Sequence, residues 1–166
     1  REIICSSGGY FGFAHVNRDA PEQPWKFIRI SDKSAGGRFT HGLGLGDVNG
    51  DNRLDLLEKS GWWEQPESLR DNPQWKKHSV AFADGTGSAQ MFADDVDGDG
   101  DNDVITALNA HGYGLAWYEN RASGDGEISF QQHLIMGSKP EQNSHGVVFS
   151  QLHGVELVDI DGDGLK

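Results

Sequence analysis

Cysteine is nearly absent: Cys5 is the single thiol in 166 residues, so no internal disulfide can staple the fold. Long apolar stretches are missing as well, and nothing approaches the roughly 18 residues that a membrane-spanning helix needs. Positive charge is scarce, with 14 Lys and Arg against 26 Asp and Glu and a formal net charge of −12. No basic stripe interleaved with aromatics occurs, which argues against a nucleic-acid surface. The sequence also lacks a G-x-S-x-G elbow, a phosphate-binding P-loop, a dinucleotide-binding glycine pattern and an H-E-x-x-H pair, which removes the commonest hydrolase, nucleotide and zinc-protease readings. What is plentiful is glycine, 23 residues, and aspartate arranged at short, regular intervals.

The densest interval is "DVDGDGDND", residues 95–103, with Asp95, Asp97, Asp99, Asp101 and Asp103 at every second position. Like charges this close repel unless a cation lies among them. Calcium takes about 6–8 oxygen ligands, and side chains at loop positions 1, 3, 5 and 9 with a backbone carbonyl at 7 supply most of them. The pattern recurs in "DVNGDNRLD", 47–55, with Asp47, Asn49, Asp51 and Asp55 at positions 1, 3, 5 and 9 and the carbonyl of Arg53 at 7. It recurs again in "DIDGDGLK", 159–166, with Asp159, Asp161 and Asp163; that run stops one residue before its ninth position. Two calcium ions are expected in the complete loops, with a third site lacking its closing carboxylate. Eleven acidic residues belong to these loops, leaving 15 against 14 basic ones elsewhere. The acidity is local ligand chemistry and gives no reason to infer a basic partner.

These loops are not EF-hands, which want glycine at position 6 and glutamate at 12 between helices. The first has Asn52 at 6 and the second Thr106 at 12. Short apolar runs bounded by glycine and polar turns follow each loop and read as strands. Each copy offers a first strand ("HGLGLG", "AQMFAD", "LHGVELV"), the loop, and a second strand ("LDLLEK", "DVITAL"). A third, aromatic strand ("GWWEQ", "GLAWYEN") and a fourth ("WKKHSV", "FQQHLI") complete it. "EIICSS", "YFGFAHV" and "WKFIRI" supply strands two to four of an earlier copy. Four strands per repeat with an aromatic and Asp/Gly pattern predict an all-β protein, a β-propeller of four-stranded antiparallel blades. The expected division is half a blade over 1–32, complete blades over 41–82 and 89–135, and the start of another over 152–166. The chain begins without Met and stops inside a ligand loop at Lys166, which reads as a piece of a longer protein or as a chain that assembles with copies of itself to cover its open blade edges.

"GDVNGDNRLDLL" and "DDVDGDGDNDVITAL" resemble the FG-GAP/VCBS repeats of calcium-binding propellers, the repeat type of integrin α-subunit heads. The wider pattern is similar to bacterial exported propeller proteins and, more distantly, to the propeller domain of aldos-2-ulose (anhydrofructose) dehydratases, although no catalytic motif is matched. The resemblance implies a calcium-stabilised scaffold. Through the dehydratases it also implies an alternative as a carbohydrate lyase or dehydratase. Calcium at millimolar levels outside the cytoplasm suits such loops, so an exported protein is expected.

In a blade, the turn between the first and second strands lies on one face of the disc. The residues before the first strand, and those between the second and third, lie on the other. His41, Gln90, His153 and His145 are thereby expected at one rim, together with Glu58, Lys59, Asn109 and His111. His41, His111, His153 and Lys59 are the candidate catalytic groups; Glu58, Gln90, Asn109 and His145 are candidates for binding a carbohydrate or protein ligand. Imidazoles near a common axis can also hold zinc or another transition metal. His78 and His133, in the outermost strands, read as structural, and Trp62, Trp63, Trp117 and Tyr118 as packing between blades. The long connector 137–151 is the candidate recognition loop.

Overall fold

The computed structural model describes residues 2–33, 35, 37, 39–70, 74–85, 87–122 and 126–164. Lys166, the expected end of the third loop, therefore lies outside the described residues. A three-stranded antiparallel sheet comes first, formed by β1 (Glu2–Ser7), β2 (Tyr10–His15) and β3 (Lys26–Arg29) in that order. Two four-stranded antiparallel meanders follow. The first comprises β4 (Gly44–Gly46), β5 (Asp55–Glu58), β6 (Gly61–Glu64) and β7 (Lys76–Ser79). The second comprises β8 (Met91–Asp94), β9 (Asp103–Ala107), β10 (Leu115–Ala122) and β11 (Ile128–Met136).

The innermost strands β4 and β8 pair in parallel, Gly44 with Met91 and Leu45 with Phe92, and join the two meanders into one curled eight-stranded sheet. Parallel inner strands from successive blades are what an axis lined by repeats requires, and the architecture is that of a partial β-propeller. The glycines of "HGLGLG" explain the close approach. A Cβ on Gly44 would lie 2.1 Å from the Met91 carbonyl oxygen, and one on Gly46 would lie 2.2 Å from the Ala93 Cβ.

Alternation along β5 and β6 gives the first full blade two apolar faces. Leu57 pairs across strands with Trp62 and packs with Val48, Phe82, Met91, Val104, Ala116 and Tyr118, the core between the two full blades. Leu56 pairs with Trp63 and turns the other way, into a core with Phe11, Ile30 and Trp75 beneath the opening sheet. Trp62, Trp63 and Tyr118 therefore pack between blades; Tyr118 also donates its hydroxyl to the Phe82 carbonyl at 2.6 Å. Trp117 instead stacks on His133.

"LHGVELV" departs from expectation and forms no strand. Its tethers are Gln151 N–H to the Gly112 carbonyl at 2.8 Å and Val155 N–H to the Gln90 side-chain oxygen at 3.1 Å. In the two full copies the second strand begins at loop position 9, and among the described residues no strand pairs with this segment. The connector 137–151 contains one 3-10 turn, Pro140–Gln142, and an Asn143-centred turn whose Oδ1 accepts N–H groups from His145 and Val147.

Candidate functional site

The three aspartate loops share one hydrogen-bond lattice. In the first, Asp47 accepts the N–H groups of Asp51 and Asn52, Asn49 accepts that of Asp51, and Asp51 accepts that of Arg53. In the second, Asp95 accepts from Gly98, Asp99 and Gly100, Asp97 from Asp99, and Asp99 from Asp101. The third repeats this with Asp159 accepting from Gly162 and Gly164, and Asp161 from Asp163. These N–H donors favour the anion and hold the Asp159 carboxyl below its ordinary value. Loop positions 4 and 6 are left-handed in all three copies: Gly50 and Asn52, Gly98 and Gly100, Gly162 and Gly164. Glycine, or asparagine in its place, is the residue type that accepts this conformation at least cost.

The side chains at positions 1, 3 and 5 converge. Oxygens of Asp95, Asp97 and Asp99 lie within 4.8 Å of one another, as do those of Asp159, Asp161 and Asp163. The first loop differs, because the Arg53 guanidinium is ion-paired with Asp51 and the Asn49 amide donates to the same carboxylate. The ninth-position residues have another task. Asp55 accepts from Val48 N–H at 3.0 Å and Gln65 N–H at 2.8 Å, and Asp103 accepts from Val96 and Asn120 at the same distances. Each thus ties the second residue of its loop to the far end of the third strand. Burial pushes Asp55 up to about 6, against the pull of those two N–H groups, and it raises Asp103 in the same way.

At the opposite ends of the inner strands, His41, His111 and His153 meet. Ring centroids are 4.9 Å apart for His41 and His111, 5.3 Å for His41 and His153, and 5.1 Å for His111 and His153. One nitrogen of each lies within 4.8 Å of the others. Partial burial, then the neighbouring His111 and His153 rings, hold His41 below the ordinary histidine value.

In each full blade an Asp/Gly loop follows the inner strand. Residues 95–166 match the FG-GAP-like repeat family. The loop at 47–55 lies outside that match, yet has the same hydrogen-bond lattice as the loops of the FG-GAP-like repeat. No curated protein and no solved structure matches the chain.

The other residues expected at the rim have these partners. Glu58 is 1% exposed, and its carboxylate accepts from Ser60 N–H at 2.9 Å and Ser60 Oγ at 2.6 Å and pairs with Lys77 Nζ at 2.9 Å. Lys59 donates its ammonium to the Gly85 carbonyl. Gln90 holds the 152–158 segment, and Asn109 accepts the His111 N–H at 3.0 Å, so both position rim elements. His145 lies in the exposed Asn143 turn and is not among the three clustered histidines.

The outer-strand histidines form a repeated module. His78 stacks on Trp62 with centroids 4.0 Å apart and reaches Glu64 at 2.7 Å; His133 stacks on Trp117 at 4.4 Å and reaches Glu119 at 2.6 Å. Sequence reasoning missed the glutamates, although Glu64 and Glu119 each stand two residues after the stacked tryptophan. It also missed Asn102 and Asn120, whose amides cross from the second blade to the carbonyls of Asp47 and Val48 in the first.

Proposed function

We propose that this chain is a calcium-stabilised β-propeller scaffold whose polar rim binds a carbohydrate or protein partner. The observation that supports it is the opposition of two chemistries across the inner strands. Hard carboxylate oxygens follow the ends of β4 and β8, while imidazole and amide side chains stand at or before their starts. Asp95, Asp97 and Asp99, and likewise Asp159, Asp161 and Asp163, offer the oxygen-only donor set that suits calcium. In the first loop Asp47, Asn49 and the Arg53 carbonyl would contribute, with Asp51 exchanging its Arg53 partner for the ion. Loops of this type work where calcium is millimolar, which is the ground for reading the protein as exported. No described helix is long and apolar enough to cross a membrane.

An elemental inventory of the purified chain, with calorimetric calcium titration after chelation, tests the scaffold. About two bound calcium ions per chain are expected, and a protein that takes up none would overturn it. Screening the loaded chain against glycan and protein libraries then tests the rim.

A second reading, an enzyme of the sugar lyase or dehydratase type, is favoured by the convergence of His41, His111 and His153. There His111 or His153 would take a proton next to a carbonyl. Turnover of an anhydro-sugar that disappears in H111A and H153A would support it, and no turnover by the wild-type chain would count against it.

A further inference from the structure

Six of the seven histidines divide by the company they keep. His15, His78 and His133 each reach a carboxylate: Glu2, Glu64 and Glu119 respectively. Two of these three also lie flat on a tryptophan, and those contacts account for their presence. His41, His111 and His153 come from three separate segments and cluster together, with no carboxylate of the described residues in the group. Three protonated imidazoles at this spacing would repel. Three neutral ones each offer one nitrogen within 4.8 Å of the others.

The backbone around them is organised for that arrangement. His153 Nδ1 lies 2.9 Å from the Gln151 carbonyl oxygen, and donating to it fixes the tautomer that leaves Nε2 free. Gln151 is held in the left-handed region at φ 60°, one of two described non-glycine residues with positive φ. Such backbone is strained for a non-glycine residue and persists where its surroundings enforce it. What enforces it is Gln151 N–H bound at 2.8 Å to the carbonyl of Gly112, the residue after His111. The strained turn that aims His153 is thus fastened to the turn that carries His111. His111 is set in turn by its N–H to Asn109 Oδ1 at 3.0 Å. His41 forms a parallel bridge with Gly87, where a Cβ would stand 2.3 Å from the His41 carbonyl oxygen.

We propose that His41, His111 and His153 form a three-imidazole site for a divalent transition metal of the zinc class, with a fourth position open to solvent. Nitrogen-only donors suit zinc, copper, nickel or iron and disfavour calcium and magnesium, so this site is chemically separate from the aspartate loops. Tetrahedral Zn–N bonds of about 2.0–2.1 Å bring donor nitrogens to roughly 3.3 Å from one another. Side-chain torsions of the exposed His111 and His153 can close that gap. Three protein ligands leave one coordination position for water or for an oxygen of a bound ligand, which is the arrangement of catalytic rather than structural zinc.

The test is cobalt(II) titration of the 166-residue chain in buffer with excess calcium, read by visible d–d absorption, with zinc competition and calorimetry. Expected are one cobalt per chain, bands of tetrahedral or five-coordinate intensity, displacement by zinc and no displacement by calcium. His153 lies in a segment without strands, so H153A should leave the far-ultraviolet circular dichroism unchanged while weakening zinc binding at least tenfold. H111A should do the same, and H133A should bind as wild type. Absence of calcium-resistant binding would overturn the site, as would zinc affinity unchanged in a folded H111A/H153A double variant. Either result would leave the calcium scaffold standing, because its loops are read by a different ion.

Discussion

The side-chain amide of Asn102 donates to the backbone carbonyl of Asp47 at 2.8 Å, joining position 8 of the second loop to position 1 of the first across 55 residues. Loops on neighbouring blades are therefore mechanically coupled. Asn102→Ala should destabilise the chain by about 1 kcal/mol, the usual worth of one such hydrogen bond. It should also weaken calcium at the first loop, whose own residues are untouched. Urea denaturation with calcium titration of the variant checks both, and a variant with wild-type calcium affinity at that loop would show the loops to be independent.

Chelation should loosen the aspartate turns. At calcium a hundredfold above its dissociation constant, each loaded site adds about 2.7 kcal/mol of stability. EDTA should accordingly lower the melting temperature, and restoring calcium should recover it. D97N, which removes one gathered carboxylate, should shrink the calcium-dependent shift while leaving the metal-free melting point nearly unchanged. A melting curve indifferent to verified metal removal would refute the assignment.

At Gly44 the two full blades approach closely. A Cβ there meets the Met91 carbonyl oxygen, a backbone atom that cannot swing aside. Gly44→Ala should cost roughly 1–3 kcal/mol, the range for an overpacked contact. Gly154→Ala, where an added Cβ meets nothing within 4 Å, is the control and should be close to neutral. Equal denaturation midpoints for the two variants would remove the close approach as an explanation for the glycines of "HGLGLG".

Glu119 carries a pH dependence of definite sign. Hydrogen bonds from Arg121 and His133 pull its carboxyl down to about 2 from an ordinary 4.5. Its folded value is depressed, so its contribution is present in full above the ordinary carboxylate range and is lost as pH falls from about 4.5 toward 2. Acid unfolding of E119Q should lack that portion of the wild-type slope. Superimposable acid limbs would place the wild-type pH dependence elsewhere.

Much of this architecture was legible because glycine, aspartate and aromatic residues recur in a fixed order. The strands expected from β1 through β11 formed, most of them short apolar or aromatic runs closed by turn residues. The meeting of His41, His111 and His153 followed from placing them by register at one end of the inner strands. Other features were invisible for a common reason: they depend on which partner a polar group finds. Nothing in "LLEKS" announces that Glu58 turns inward to Ser60 and Lys77. Nothing in "DGDND" reveals that Asp103 staples Val96 to Asn120. The failure of "LHGVELV" to become a strand is of the same kind, because a strand is a relation between two segments and no described strand pairs with this one.

The two apolar faces of the first full blade carry a consequence for how the chain finds its alignment. In a half-buried sheet, slipping a strand by one residue throws oil onto the water side and is punished at once. With Leu56 buried on one side and Leu57 on the other, hydrophobicity would hardly notice a slip of β5. The carboxylate of Asp55 would notice, since only one alignment lets it reach both Val48 and Gln65. Asp55 thus acts as a reading-frame mark, counting residues where greasy side chains cannot.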